Sequence, residues 1–70
     1  MLTLTQRLLT EKRLRRAVES IGECRAIARS GHYPANYRAE ADRIEAEVFW
    51  PLYDKLEADD KEKQEVNQNV

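Results

Sequence analysis

The chain has 70 residues, of which 36% are charged, and its formal net charge is −1. A chain of this length forms one small domain, whose core alone supplies only about 3–5 kcal/mol of stability. The single cysteine, Cys24, excludes an internal disulfide, and with the one histidine, His32, it offers too few ligands for a structural zinc site. The extra burial that the chain needs is therefore expected from association with a partner.

The sequence indicates a location in the cytoplasm. No run of apolar residues approaches the roughly 20 that cross a bilayer. Residues 1–7 lack the basic and apolar regions of a signal peptide. The lack of a cysteine framework is typical of a reducing compartment. We therefore expect a cytoplasmic protein that has no membrane partner.

Residues 1–62 are predicted to form one all-α domain, an antiparallel two-helix hairpin. Apolar residues lie three or four positions apart from Leu14 to Ala28, and again from Tyr37 to Leu52. The numbers of facing residues add up to 65 or 66, as two antiparallel helices of equal rise require. The inward residues are expected to be Leu14, Val18, Ile21, Cys24 and Ala28 on the first helix and Tyr37, Ala41, Ile44, Val48 and Leu52 on the second.

Capping residues predict the limits of the first helix. Thr3 and Gln6 have the spacing of a capping box that starts the helix near Leu4. Thr10 is a second potential start. Gly31 is placed to cap the end of the helix, and Pro34 follows as a stop signal.

The second helix is expected to begin with Asn36 as its N-cap. Pro51 predicts a kink between Trp50 and Pro51, or a break that places Pro51 at the first position of a short third helix. The numbers of facing residues on the two arms keep a nearly constant sum, which favours the kink over the break. Residues 63–70 have almost nothing to bury and are predicted to form a disordered tail.

Several apolar side chains lie off the predicted inward positions. Leu4 and Leu8 form a cluster on the first helix, and Phe49, Trp50 and Tyr53 form another on the second. Exposed apolar surface and aromatic residues are typical of interaction sites. The clusters predict a homodimer with a four-helix arrangement, contact with a different protein, or both. The remaining alternative is a third helix that folds back and covers them.

Positive charge is concentrated in the first half of the chain. Residues 1–33 carry a net charge of +4 and residues 34–70 a net charge of −5, which fits a basic helix lying along an acidic one. The densest part, the basic patch, consists of Lys12, Arg13, Arg15 and Arg16. Arg13 and Arg16 are predicted to give the protein contact its electrostatic edge. The patch also supports an alternative function, a dimeric nucleic-acid-binding regulator that contacts phosphates.

Patterns for catalysis and metal binding are not found in the sequence. His32 lies in the predicted turn without a second histidine to form a base, and Cys24 lies on the inward side as a small apolar residue. The acidic residues from Glu40 to Glu47 have no histidine at metal-binding spacing and are typical of a solvated helix face. We therefore expect no enzyme activity, no metal and no cofactor.

Two resemblances point to small regulators. The segments Arg13–Arg16, Ala41–Arg43 and Leu52–Lys55 resemble parts of the Hha/YmoA family of small helical regulators, which bind the nucleoid protein H-NS. This chain is shorter between those segments, and its tail differs. The hairpin also resembles the plasmid copy-number RNA-binding Rop proteins in architecture, without a shared motif. Neither resemblance assigns a residue role.

The sequence as a whole favours a small regulator, inhibitor or adaptor that binds another protein. Small, charged helical chains of this class are typical of phages and mobile elements, whose products bind and redirect host proteins.

Overall fold

The computed structural model describes the backbone of residues 1–68 and the side chains of residues 1–63. Helix α1 spans Leu4–Arg29, α2 spans Pro34–Ile44, a π turn spans Glu45–Phe49, and α3 spans Trp50–Gln68. The last three follow one another without a gap and pack as one arm against α1. The predicted all-α antiparallel hairpin is confirmed.

Helix α1 begins at the predicted capping box. The Thr3 hydroxyl accepts a hydrogen bond from the Gln6 backbone N–H (3.1 Å), and the Gln6 side-chain oxygen accepts one from the Thr3 N–H (3.0 Å). Thr10 is not a helix start. It is buried inside α1, where its hydroxyl donates to the Gln6 carbonyl at 2.7 Å. The capping box satisfies the backbone N–H groups of Thr3 and Gln6.

The turn between the two arms contains two residues with positive φ. Gly31 has φ of 90° and Tyr33 has φ of 44°. The prediction that Asn36 caps the second helix is wrong, since α2 begins at Pro34 and Tyr33 precedes it. A proline at the first helical position loses no hydrogen bond, and its fixed φ suits the helix. Glycine tolerates positive φ freely, whereas Tyr33 adopts a conformation that side chains disfavour.

The inward side of α1 differs from the prediction at one position. Val18 is 51% exposed, and its place facing the second arm is taken by Ala17, which is buried. The buried and half-buried positions that alternate four and three residues apart are Thr10, Leu14, Ala17, Ile21, Cys24 and Ala28. That alternation is the spacing of a heptad seam. Val48, the predicted partner of Val18, is exposed as well.

The π turn adds one residue to the second arm. Its inward positions are Tyr37, Ala41 and Ile44 before the π turn, and Leu52, Leu56 and Asp59 after it. Eight residues separate Ile44 from Leu52, one more than a heptad seam needs. Facing residues therefore add up to 65 near the hairpin turn and to 66 beyond the π turn. The π turn absorbs this extra residue, so that Leu52, Leu56 and Asp59 still face α1.

The π turn is also how the chain accommodates Pro51. The Trp50 N–H donates to the Glu45 carbonyl, five residues back. Pro51 has no N–H and its ring crowds the carbonyl four residues earlier, so a wider turn directly before it relieves the clash. The predicted irregularity at Pro51 is confirmed as a π turn rather than a break.

Helix α3 continues to Gln68, past the predicted domain end at residue 62. The predicted disordered tail comprises residues 63–70. The side chains beyond residue 63, and the whole of residues 69 and 70, lie outside the part of the chain that the structure describes. That tail stays a prediction.

Candidate interaction surfaces

Three aromatic side chains form a compact cluster where the π turn joins α3. The ring centroids of Phe49 and Trp50 lie 4.9 Å apart, and those of Trp50 and Tyr53 lie 5.6 Å apart, both edge to face. Phe49 and Tyr53 are stacked at 6.0 Å. Trp50 is 47% exposed and Tyr53 is 43% exposed. The three rings support one another, and two of them present large faces to solvent.

Phe49 connects this cluster to α1. It is half-buried and lines a shallow groove of about 340 Å³ with Val18, Ile21 and Gly22. Arg25 and Glu45 close one end of the groove through an ion pair of 2.6 Å. We define the aromatic surface as Val18, Phe49, Trp50 and Tyr53. Val18 was missed as a surface residue because both it and Ala17 are apolar, and only the heptad spacing distinguishes them.

The leucines predicted as contact residues lie elsewhere. Leu4, Leu8 and also Leu9 are exposed near the open end of the hairpin, and they form the leucine surface. None of the three leucines lines the groove that Val18 and Phe49 line. We therefore treat the leucine surface and the aromatic surface as two surfaces.

A polar network joins the two arms at the open end of the hairpin, which is the end away from the turn. Asp59 is only 3% exposed, and it accepts hydrogen bonds from the Leu2 backbone N–H (2.9 Å) and the Arg7 guanidinium (2.7 Å). The Lys63 ammonium lies 3.1 Å from the same carboxylate. The Leu2 N–H, then Lys63 and Arg7, lower the pKa of Asp59 to about 2.

Arg7 joins this network to its surroundings. Its guanidinium also donates to Asp60 at 2.7 Å and to Glu11 at 3.1 Å, and bonds to Asp60 and Asp59 raise its pKa. Sequence reasoning missed this network, although the numbers of Arg7 and Asp59 also add up to 66. The network fixes the register of the two arms.

The basic patch lies on the exposed surface of α1. Each of its four side chains is exposed, and none forms an ion pair with a described side chain. Arg13 and Arg16 border a second groove of about 510 Å³, which we call the basic groove. Its other lining residues are Ala17, Ser20, Ile44, Glu47, Val48, Pro51 and Leu52. It shares no lining residue with the groove beside the aromatic surface.

The seven predicted contact residues thus lie in three places rather than on one face. Arg13 and Arg16 border the basic groove, the three aromatic residues form their own surface, and the two leucines lie at the open end. Arg13 and Arg16 do not border the aromatic surface. The residues that line the basic groove differ from those that line the groove beside the aromatic surface.

The residues weighed for catalysis and metal binding form no common site among the described residues. His32 is exposed in the turn, and Cys24 is a half-buried free thiol. In the described part of the chain, no three His, Cys, Asp or Glu residues are grouped to hold a metal ion. Arg43 bonds to Glu40 and, at 3.2 Å, to Glu47, and it lowers the pKa of Glu40.

Comparison with known proteins gives no relative: no family model, curated protein or solved structure matches the chain. Within residues 1–68, no helix combines the length and the apolar character needed to cross a bilayer.

Proposed function

We propose that the protein is a non-enzymatic protein–protein interaction module that acts as a regulator, inhibitor or adaptor. The observation that supports this most strongly is the aromatic surface, where Trp50 and Tyr53 each expose almost half of their area. Tryptophan and tyrosine dominate the energetics of protein contacts because they bury much area at little entropic cost. The mutual packing of the three rings holds the cluster ready for contact.

The module works as a homodimer in this proposal. Within the described part of the chain, the buried apolar residues are three alanines and one isoleucine, which is a small core. The exposed leucines Leu4, Leu8 and Leu9 offer further apolar surface that a second copy can cover.

Solution mass tests this proposal and shows which surface joins the chains. Light scattering is measured on the wild type, on Trp50→Ala/Tyr53→Ala, and on Leu4→Ala/Leu8→Ala. A wild-type dimer that dissociates only in the leucine variant leaves the aromatic surface free for a different protein, which is the expected result. A dimer that dissociates only in the aromatic variant makes those rings the self-interface. A stable wild-type monomer contradicts the dimer.

Nucleic-acid binding is the second candidate function. It is favoured by the basic patch, whose four cations are exposed and form no ion pair with residues 1–63. Cations of this kind bind phosphates with an affinity that falls steeply with salt. A salt titration with duplex DNA and RNA tests this on wild type, on Arg13→Ala/Arg16→Ala, and on the charge-matched control Arg29→Ala/Arg38→Ala. Selective loss in the first variant supports binding at the patch, and no binding at low salt removes this candidate.

We propose a cytoplasmic location for the protein and a phage or mobile element as its source. A free, half-buried thiol such as that of Cys24 is typical of a reducing compartment.

A further inference from the structure

The two grooves beside α1 differ in how their charges are balanced. In the groove beside the aromatic surface, Arg25 is already paired with Glu45 at 2.6 Å. In the basic groove, Arg13 and Arg16 have no ion pair within residues 1–63. The acid on the opposite rim, Glu47, is held by Arg43 at 3.2 Å. The basic groove therefore has two cations on one rim without a counter-charge.

The floor of the basic groove is apolar and follows the helix axes. Ala17 gives a low point on the α1 side, and Ile44, Val48 and Leu52 line the side of the second arm. The lining runs from residue 13 to residue 20 on α1, which is about 10 Å or two helical turns. A channel of this length between two helices matches the ridge of a third helix packed against both.

We infer that the basic groove receives an amphipathic α-helix of a partner protein, whose acidic residues pair with Arg13 and Arg16. This inference rests on the proposed function, since it assumes that the partner is a protein. Apolar residues at positions i, i+3, i+4 and i+7 of the partner helix cover the floor. Glutamates beside that stripe supply the counter-charge that the rim lacks.

A helix fits this groove better than the other common ligands. An extended peptide needs a strand edge to bond its backbone, and residues 1–68 contain no strand. A nucleic-acid backbone matches the two cations, but it cannot cover a floor made of valine, leucine, isoleucine and proline side chains. A helix satisfies its own backbone and brings an apolar face together with charges.

The test is a titration of the isotope-labelled full chain with two helical peptides, followed by NMR. One peptide, of about 16 residues, has leucines at i, i+3, i+4 and i+7 and glutamates beside them. The other has lysines in place of the glutamates. We expect the acidic peptide to shift the amide signals of Ala17, Val48 and Leu52. The lysine peptide is expected to bind at least about tenfold more weakly.

Two charge-matched variants complete the test. Arg13→Glu/Arg16→Glu should weaken the acidic peptide at least about tenfold, whereas Arg29→Glu/Arg38→Glu, at exposed sites near the turn, should not. Circular dichroism checks that both variants are folded.

Three outcomes overturn the inference. In the first, signal changes are confined to Val18, Trp50 and Tyr53, and the interaction function then stands without the groove. In the second, neither peptide binds up to about 1 mM. In the third, the groove signals depend on protein concentration without peptide, which makes a second copy the occupant. The first two leave the light-scattering result unchanged, and the third moves the self-interface to the groove, so failure of the groove and failure of the proposed function are distinguishable.

Discussion

The two halves of the hairpin are held together by different means. Near the turn, small apolar residues allow the backbones to approach closely: Ala28 and Ala41 are buried, and Ile21 lies next along the seam. Beyond the π turn, the arms meet through Arg7 and a buried Asp59. Apolar contacts are nearly indifferent to a shift along a heptad seam, whereas a hydrogen-bonded ion pair has one geometry. The apolar half thus supplies most of the stabilisation, and the polar half fixes the register.

The largest effect is expected from truncating the one large buried residue of the apolar half. Ile21→Ala removes a side chain that is 7% exposed, and such substitutions cost about 2 kcal/mol or more. Against a total of about 3–5 kcal/mol for a domain of this size, the variant should lose roughly half of its stability. Urea unfolding followed by circular dichroism, at a fixed protein concentration, measures the loss.

Val18→Ala is the matched control, because it removes apolar atoms from the same helix at an exposed site. It should cost less than about 0.5 kcal/mol. Equal losses in the two variants would mean that the inward side of α1 has been assigned wrongly.

A smaller effect is expected in the polar half, and it depends on pH. The pKa of Asp59 is about 2, below its ordinary value of 3.8. Its ionised form therefore stabilises the fold above about pH 4, and this contribution is lost as the pH falls from about 4 to about 2. Asp59→Asn should lower the melting temperature at neutral pH.

The difference in melting temperature between wild type and Asp59→Asn should shrink on acidification over that range. Asp54→Asn, at an exposed site on the same helix, is the control and should keep a constant, small difference. A difference for Asp59→Asn that does not change with pH would contradict the role of the ionised carboxylate.

The smallest effect is expected where the two halves join. Deleting Ala46 from the π turn, together with Pro51→Ala, should convert the second arm into a continuous α-helix with one register throughout. Since Leu52, Leu56 and Asp59 keep facing α1, the melting temperature should stay near that of the wild type. Hydrogen exchange would show the new α-helical bonds.

Deleting Asp54 instead, with the same proline change, is the matched control. This deletion rotates Leu56 and Asp59 by about 100° away from α1, so a clear loss of stability is expected. If both deletions were equally harmful, the π turn would not be the device that sets the register.

The sequence predicted the hairpin because apolar spacing and capping residues act locally. It left Ala17 and Val18 as near equivalents, because both are apolar and only the strict alternation of four and three residues separates them. The sum of the numbers of facing residues changes from 65 to 66, and this change was visible in the sequence. Only the structure shows that one added residue in the π turn causes it. Arg7 and Asp59 were missed because a search for apolar spacing passes over charged residues.

The interaction surfaces were predictable in part for similar reasons. The exposure of Trp50 and Tyr53 follows from their positions relative to Leu52. The separation of Arg13 and Arg16 from the aromatic rings does not follow from the sequence. It depends on the side of the hairpin to which each groove opens.

The rod-like shape of the hairpin has a hydrodynamic consequence. The molecule measures 55 × 18 × 15 Å, and its radius of gyration is 15.9 Å. A compact chain of 70 residues has a radius of gyration of about 11 Å, and a value near 16 Å belongs to a compact chain of about 180 residues. A single copy should therefore elute from a sizing column earlier than a globular protein of the same mass, and its rotational diffusion should be strongly anisotropic. Tumbling about the long axis will be faster than tumbling end over end, so amide groups along the helices should relax as in a larger protein.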